Sequence, residues 1–201
     1  MKTTNKLPDS YKEIYKVDMQ NDKKMMLLVN SIALLITAAM IIPAAIKVPF
    51  SDTFSFGASP LMFALRLICL FAGIVAYMVL HELIHGIAMK ICGTKKIKYG
   101  FTGAYAFAGS DDYYGKAGYI FIALSPVVIF TIVFAFLCHF LPREWFWVAY
   151  AWQISNISGA AGDYFVTLRF IPMPRDILIK DAGVSMRVYY GVQSEECRMQ
   201  S

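Results

Sequence analysis

Two of the chain's three histidines, His81 and His85, stand four residues apart in the stretch VLHELIHGIAMK (79–90), with Glu82 directly after the first. On a helix, positions i and i+4 share one face, one turn apart. Two imidazoles so placed can bind a single metal ion. Zn²⁺ is the usual occupant, with metal–nitrogen distances of about 2.0–2.1 Å. A glutamate beside such a pair can take a proton from a water molecule and later give one to a leaving amine. The alternative reading is two buried histidines hydrogen-bonded to neighbouring helices. The surroundings weigh against it. The ten residues before the stretch, CLFAGIVAYM, carry no charge, and ionisable residues in such a run are expensive to bury and mark function.

A catalytic zinc takes three protein ligands and keeps a position open for water. Well inside the apolar runs the acidic residues are Glu82 and Asp163, the latter in SNISGAAGDYF. His85 precedes Lys90 by five residues and Asp163 precedes Arg169 by six. At 1.5 Å per helical residue these are about 7–8 Å and about 9 Å, so the two lie at similar depth. An Asp that only pairs with a donor on another helix is the alternative for Asp163. His139, in FLCHFL, falls at the far end of its run and reads as an interfacial histidine. Asn156, seven residues before Asp163, sits nearly on the same face two turns earlier. It could orient a substrate amide or stabilise an oxyanion, or serve as an interhelical hydrogen bond. Gly159 to Gly162 would let two helices approach closely. Pro126 should kink its helix and free a carbonyl.

These residues must be positioned by membrane helices. The 201-residue chain is 58% hydrophobic and only 16% charged, with a mean hydropathy of +0.52. A soluble domain carries about 25% charged residues. Four apolar segments, 25–46, 61–89, 117–141 and 145–168, are each long enough to cross about 30 Å of hydrocarbon. The expected fold is an all-α integral membrane protein of about four transmembrane helices, with a short cytoplasmic β-like link (YAFA) and a small C-terminal hairpin around Asp181-Ala182-Gly183. The expected division is a cytoplasmic N-terminal segment (1–24), a membrane domain (25–170) and a cytoplasmic tail (171–201). Lys and Arg alternate between the flanks: six lysines lie before the first segment, none lie in VPFSDTFSFGASP, a basic cluster spans 90–98, and Arg169 to Arg187 follow the last segment. By the positive-inside rule both termini face the cytoplasm. The net charge of +5 therefore reports topology and does not call for a nucleic-acid partner. Trp145 and Trp147 would anchor the outer interface. The polar N-terminus is not that of a cleavable leader. Cys69, Cys92, Cys138 and Cys197 have no paired spacing, so neither a disulfide framework nor a cysteine zinc site is expected.

HELIHG, a basic link, the aromatic YGF, SP in the next segment and N…GD in the last together resemble the bacterial membrane zincin family, long catalogued as a domain of unknown function. That family is similar in layout to the site-2 proteases, which cut other proteins within the membrane. The resemblance extends from about the first span to the tail. It implies His81, His85 and Asp163 as zinc ligands and Glu82 as the base. Where site-2 proteases carry LDG, this chain has AGD. The function implied is a zinc-dependent intramembrane metallopeptidase acting on peptide bonds of membrane-associated proteins. The alternative is a non-catalytic metal-binding scaffold or helper that keeps the fold. Glu82 separates the two, because a scaffold has no need of it. A transporter would show paired broken helices or inverted repeats, and none is visible.

Overall fold

The computed structural model describes residues 3–18, 21–55, 59–103, 106–183 and 185–191. In chain order the elements are strands β1 (Thr3–Thr4) and β2 (Tyr11–Val17), helices α1 (Lys23–Lys47) and α2 (Pro60–Ile91), strands β3 (Lys98–Phe101), β4 (Ala106–Gly109) and β5 (Tyr113–Gly115), helices α3 (Lys116–Phe140), α4 (Phe146–Gly159) and α5 (Ala161–Phe170), and strands β6 (Leu178–Asp181) and β7 (Met186–Gly191).

Local chemistry sets the helix starts. Asp22 Oδ1 accepts from the backbone N–H groups of Lys24 and Met25 at 3.0 and 3.1 Å, capping α1. Pro60 occupies the first position of α2, where its missing N–H costs nothing. Helices α1, α2 and α3 are long and apolar enough to cross a membrane. Their outward faces carry large apolar side chains: Leu34, Leu35, Ile46 and Leu61 are 70–80% exposed. In water such a surface would be an interaction patch; in lipid it is the ordinary exterior. These helices point to a multi-pass membrane protein.

The fourth apolar segment differs from expectation. It is two helices, α4 and α5, broken at Ala160, so no single helix fills 145–168. Gly159 and Gly162 flank the break, and glycine loses more conformational freedom in a helix than any other residue.

The chain folds as two compact units. One comprises Leu27–His81 and Pro126–Asp163. In it Tyr77, Phe130, Phe134, Trp147 and Val148 are buried. Trp147 stacks on Phe50 with ring centroids 4.0 Å apart and donates Nε1–H to the Val48 carbonyl at 3.1 Å. It is thus a core residue of this unit, and the outer-interface anchor expected for it is corrected.

The other unit comprises Met1–Met26, Glu82–Ser125 and Tyr164–Ser201. Its centre is a five-stranded antiparallel sheet in the order β1-β5-β6-β7-β2, beside the two-stranded hairpin β3-β4. The expected tail hairpin is there as β6–β7, with Leu178 opposite Tyr189 and Asp181 opposite Met186. Its turn includes Gly183 at φ +88°, a value glycine adopts without steric cost. An all-α fold is therefore too narrow: the sheet draws on the N-terminal segment, the link and the tail. Behind it Met89, Tyr114, Ile122, Phe170, Ile177, Ile179 and Val188 form the core. The buried Tyr114 hydroxyl is satisfied by Thr94 and Ser110, each at 2.6 Å. Of YAFA, Ala106 to Ala108 fall in β4; Tyr105 lies outside the described residues.

Candidate metal centre

Helix α2 runs unbroken through 60–91, so its own geometry holds His81 and His85 one turn apart. Asp163 lies in the first turn of α5. The break at Ala160 restarts the helix just before it, which sets the carboxylate where the helix dipole favours negative charge. Asp163 Oδ2 is 3.4 Å from Nε2 of His81. One ligand atom from each of His81, His85 and Asp163 can be chosen so that all lie within 4.8 Å of one another. Two imidazole nitrogens and a carboxylate oxygen at that spacing suit a tetrahedral zinc with one position left open.

The second ring nitrogens test the fit further. A histidine that binds metal through one nitrogen holds the other in a hydrogen bond that fixes its tautomer and orientation. Nδ1 of His85 is 3.0 Å from the carbonyl oxygen of Ile122. A carbonyl only accepts, so Nδ1 carries the proton and Nε2 keeps its lone pair for a metal. Ile122 lies four residues before Pro126 in α3, and proline has no N–H to return to that carbonyl. Nδ1 of His81 is 2.9 Å from the Tyr77 hydroxyl. Both histidines thus engage Nδ1, which leaves Nε2 of each as the nitrogen available to a metal. The donor set fits zinc.

Glu82, half-buried, follows His81 directly on α2. Asn156 is fully buried. Its Nδ2 donates to the Val127 carbonyl at 3.2 Å and to Thr131 Oγ1 at 2.9 Å, and its Oδ1 accepts from the Tyr77 hydroxyl at 3.4 Å. His139 is in the last turn of α3, its ring edge-on to Phe140 with centroids 4.8 Å apart, and it is not a member of the metal-ligand group. Ala160 and Ala161 are buried, while a Cβ at Gly159 would meet nothing within 4 Å.

Sequence reasoning missed Tyr77 and Thr131. Tyr77 had a usable signal, being a lone hydroxyl in an apolar run, four residues before His81 and so on the same helix face. Its ring is packed edge-on against Phe130 and Phe134, at 5.1 and 5.8 Å between centroids. Thr131 gave none, since a threonine in a membrane helix commonly bonds its own backbone.

No curated protein and no solved structure matches the chain. A family model does, over residues 74–178, a span that holds the three candidate ligands and Glu82. With more than half its length matched and the histidine pair, glutamate and aspartate all inside the match, the chain belongs to the family described as "Putative zincin peptidase".

Proposed function

We propose that the protein is a zinc-dependent intramembrane metallopeptidase of the cell membrane, hydrolysing peptide bonds of membrane-associated proteins, with both termini cytoplasmic. The observation that carries this is the convergence of His81, His85 and Asp163 with both histidine Nδ1 atoms already engaged. The alternation of basic flanks supports the orientation, and family membership supports a protein substrate.

Zinc held at this site would supply a Lewis acid and lower the pKa of water in its open position toward about 7. The remaining work falls to the chain. Glu82, one residue from a ligand, accepts the proton released by the attacking water and hands it to the departing amine nitrogen. The apolar surroundings limit bulk water and strengthen each electrostatic contact. Strand β3 pairs with β4 along one edge, and its exposed Tyr99 and Phe101 suit an extended peptide added along the other. The Tyr99 hydroxyl lies against α2 where a Cβ at Gly86 would sit, next in sequence to His85. A peptide on β3 would therefore run close to the ligand helix.

The test is Glu82→Gln in the full-length protein. It should retain stoichiometric zinc and lose cleavage of a membrane-inserted reporter by at least about 10²–10⁴-fold, the usual contribution of a general acid–base. Unchanged cleavage would remove Glu82 from the mechanism. A native protein that binds zinc but cleaves no membrane substrate in a broad screen would instead favour the scaffold.

A further inference from the structure

The hydrogen bonds around Asn156 have a fixed direction, and it decides which nitrogen of His81 is free. The Val127 carbonyl can only accept, so the Asn156 atom 3.2 Å from it must be the amide nitrogen. The same nitrogen gives its other proton to Thr131 Oγ1 at 2.9 Å. The Asn156 atom facing Tyr77 is then the carbonyl oxygen Oδ1, an acceptor. The single hydroxyl proton of Tyr77 goes to Oδ1, 3.4 Å away. Toward His81 Nδ1, 2.9 Å away, the phenol oxygen therefore offers a lone pair. Nδ1 must be the donor. A neutral ring then carries its proton on Nδ1, which leaves Nε2, 3.4 Å from Asp163 Oδ2, as the nitrogen that can accept a metal.

We infer that Tyr77 and Asn156 are positioning residues that hold His81 in its metal-binding tautomer. The relay starts at a backbone carbonyl of α3, whose acceptor character no side-chain rotation can reverse, and passes through two fully directed groups. Neither residue touches the reacting atoms. Their role rests on the zinc-site reading above, and it explains why two apolar helices, α2 and α4, carry a buried tyrosine hydroxyl and a buried asparagine that would otherwise be costly there. Without Asn156 the Tyr77 proton is released to turn toward Nδ1, which drives the His81 proton to Nε2 and blocks the ligand atom.

The experiment is nitrogen NMR of histidine-labelled, zinc-free, full-length protein in lipid nanodiscs, with His139→Gln to simplify the spectrum, alongside zinc affinity by chelator competition. Native His81 should be the Nδ1–H tautomer. Asn156→Ala should bring up the Nε2–H form and weaken zinc roughly ten- to hundred-fold, the usual effect of losing an outer partner of a metal ligand. Tyr77→Phe keeps the ring packing, so it serves if Asn156→Ala does not fold, and it should weaken zinc over the same range. Thr131→Val leaves the Val127 carbonyl to hold the amide and should change affinity by less than about threefold. Phe134→Leu alters packing on Tyr77 without altering polarity and should leave the tautomer unchanged. An Nε2–H tautomer in the native protein would overturn the inference, as would unchanged tautomer and zinc affinity in both Asn156→Ala and Tyr77→Phe. The NMR arm needs no metal. A native protein that takes up no zinc yet shows the expected tautomers would retire the metal-site reading and leave the direction of the relay standing.

Discussion

Nδ1 of His85 sits 3.0 Å from the backbone oxygen of Ile122, the one α3 carbonyl that Pro126 leaves without its helical N–H partner. A hydrogen bond missing from one helix supplies the acceptor for a candidate ligand on another. Pro126→Ala would return an N–H to residue 126 and set it in competition with His85 for the same oxygen. Zinc affinity should fall roughly tenfold, the lower end for loss of an outer partner, while helix content stays unchanged. Chelator competition and circular dichroism read the two effects separately. Unaltered affinity would mean the carbonyl serves both donors.

Gly109 ends β4 against the turn between β6 and β7. A Cβ there would lie 2.5 Å from the Ala182 carbonyl carbon and 2.6 Å from the Gly183 nitrogen. Both are backbone atoms and cannot swing aside. The next residue, Ser110, donates its N–H to the Asp181 carbonyl at 2.8 Å, so the approach is fixed on that side too. Gly109→Ala should destabilise this unit by about 1–3 kcal/mol, as overpacking does, measured by denaturant unfolding. Gly159→Ala, where a Cβ meets nothing within 4 Å, is the matched control and should cost far less.

Asp111 joins two strands electrostatically, with Oδ2 2.6 Å from Lys98 Nζ on β3 and Oδ1 3.7 Å from Lys180 Nζ on β6. The Lys98 hydrogen bond and charge, and then Lys180, hold its carboxyl below the usual aspartate range. A folded pKa below the unfolded value, about 3.9, means the stabilisation is fully present above that value. It is lost as pH falls through the lower folded one. The carboxyl is exposed, so salt screens the effect. Melting temperature at low salt should drop more steeply below about pH 4 in the native protein than in Asp111→Asn, and added salt should narrow the gap. Parallel curves would show that the cluster contributes nothing.

The ligand helix was legible because a single helix fixes the spacing of His81 and His85, and composition alone makes an apolar run of that length a membrane segment. Asp163 could be ranked because so few acids lie inside the apolar runs. Its placement was not legible. Counting turns from Asn156 assumes one continuous helix, whereas α4 ends at Gly159 and α5 begins at Ala161. The sheet was hidden for another reason. Thr3–Thr4, Tyr113–Gly115 and Leu178–Asp181 are too short to show alternation, and they become neighbours only through pairing between distant parts of the chain, as Tyr114 with Ile179. The partners of the histidines divide the same way. Tyr77 is local to His81 and could have been found by its spacing; the Ile122 carbonyl is a backbone atom 37 positions away and has no residue-type signal.

Asp163 gives the most direct test of the centre. His81 and His85 would supply neutral nitrogens, so Asp163 is the member of the group that brings negative charge to a divalent ion. Its oxygen already lies 3.4 Å from His81 Nε2, and it stands in the first turn of α5. Asp163→Asn keeps the shape and one carbonyl oxygen but removes the charge. In apolar surroundings, where an uncompensated charge is most costly, the neutral amide should hold zinc at least about a hundredfold more weakly, at or beyond the upper end for losing an outer-shell partner. Asp163→Ala should lose stoichiometric metal altogether. Metal analysis of purified full-length protein, native against both variants, reads this directly, and His139→Gln should retain full occupancy. If Asp163→Asn and Asp163→Ala both keep native affinity, the third ligand lies elsewhere, and the convergence at α5 holds an ion pair with His81 in place of a metal.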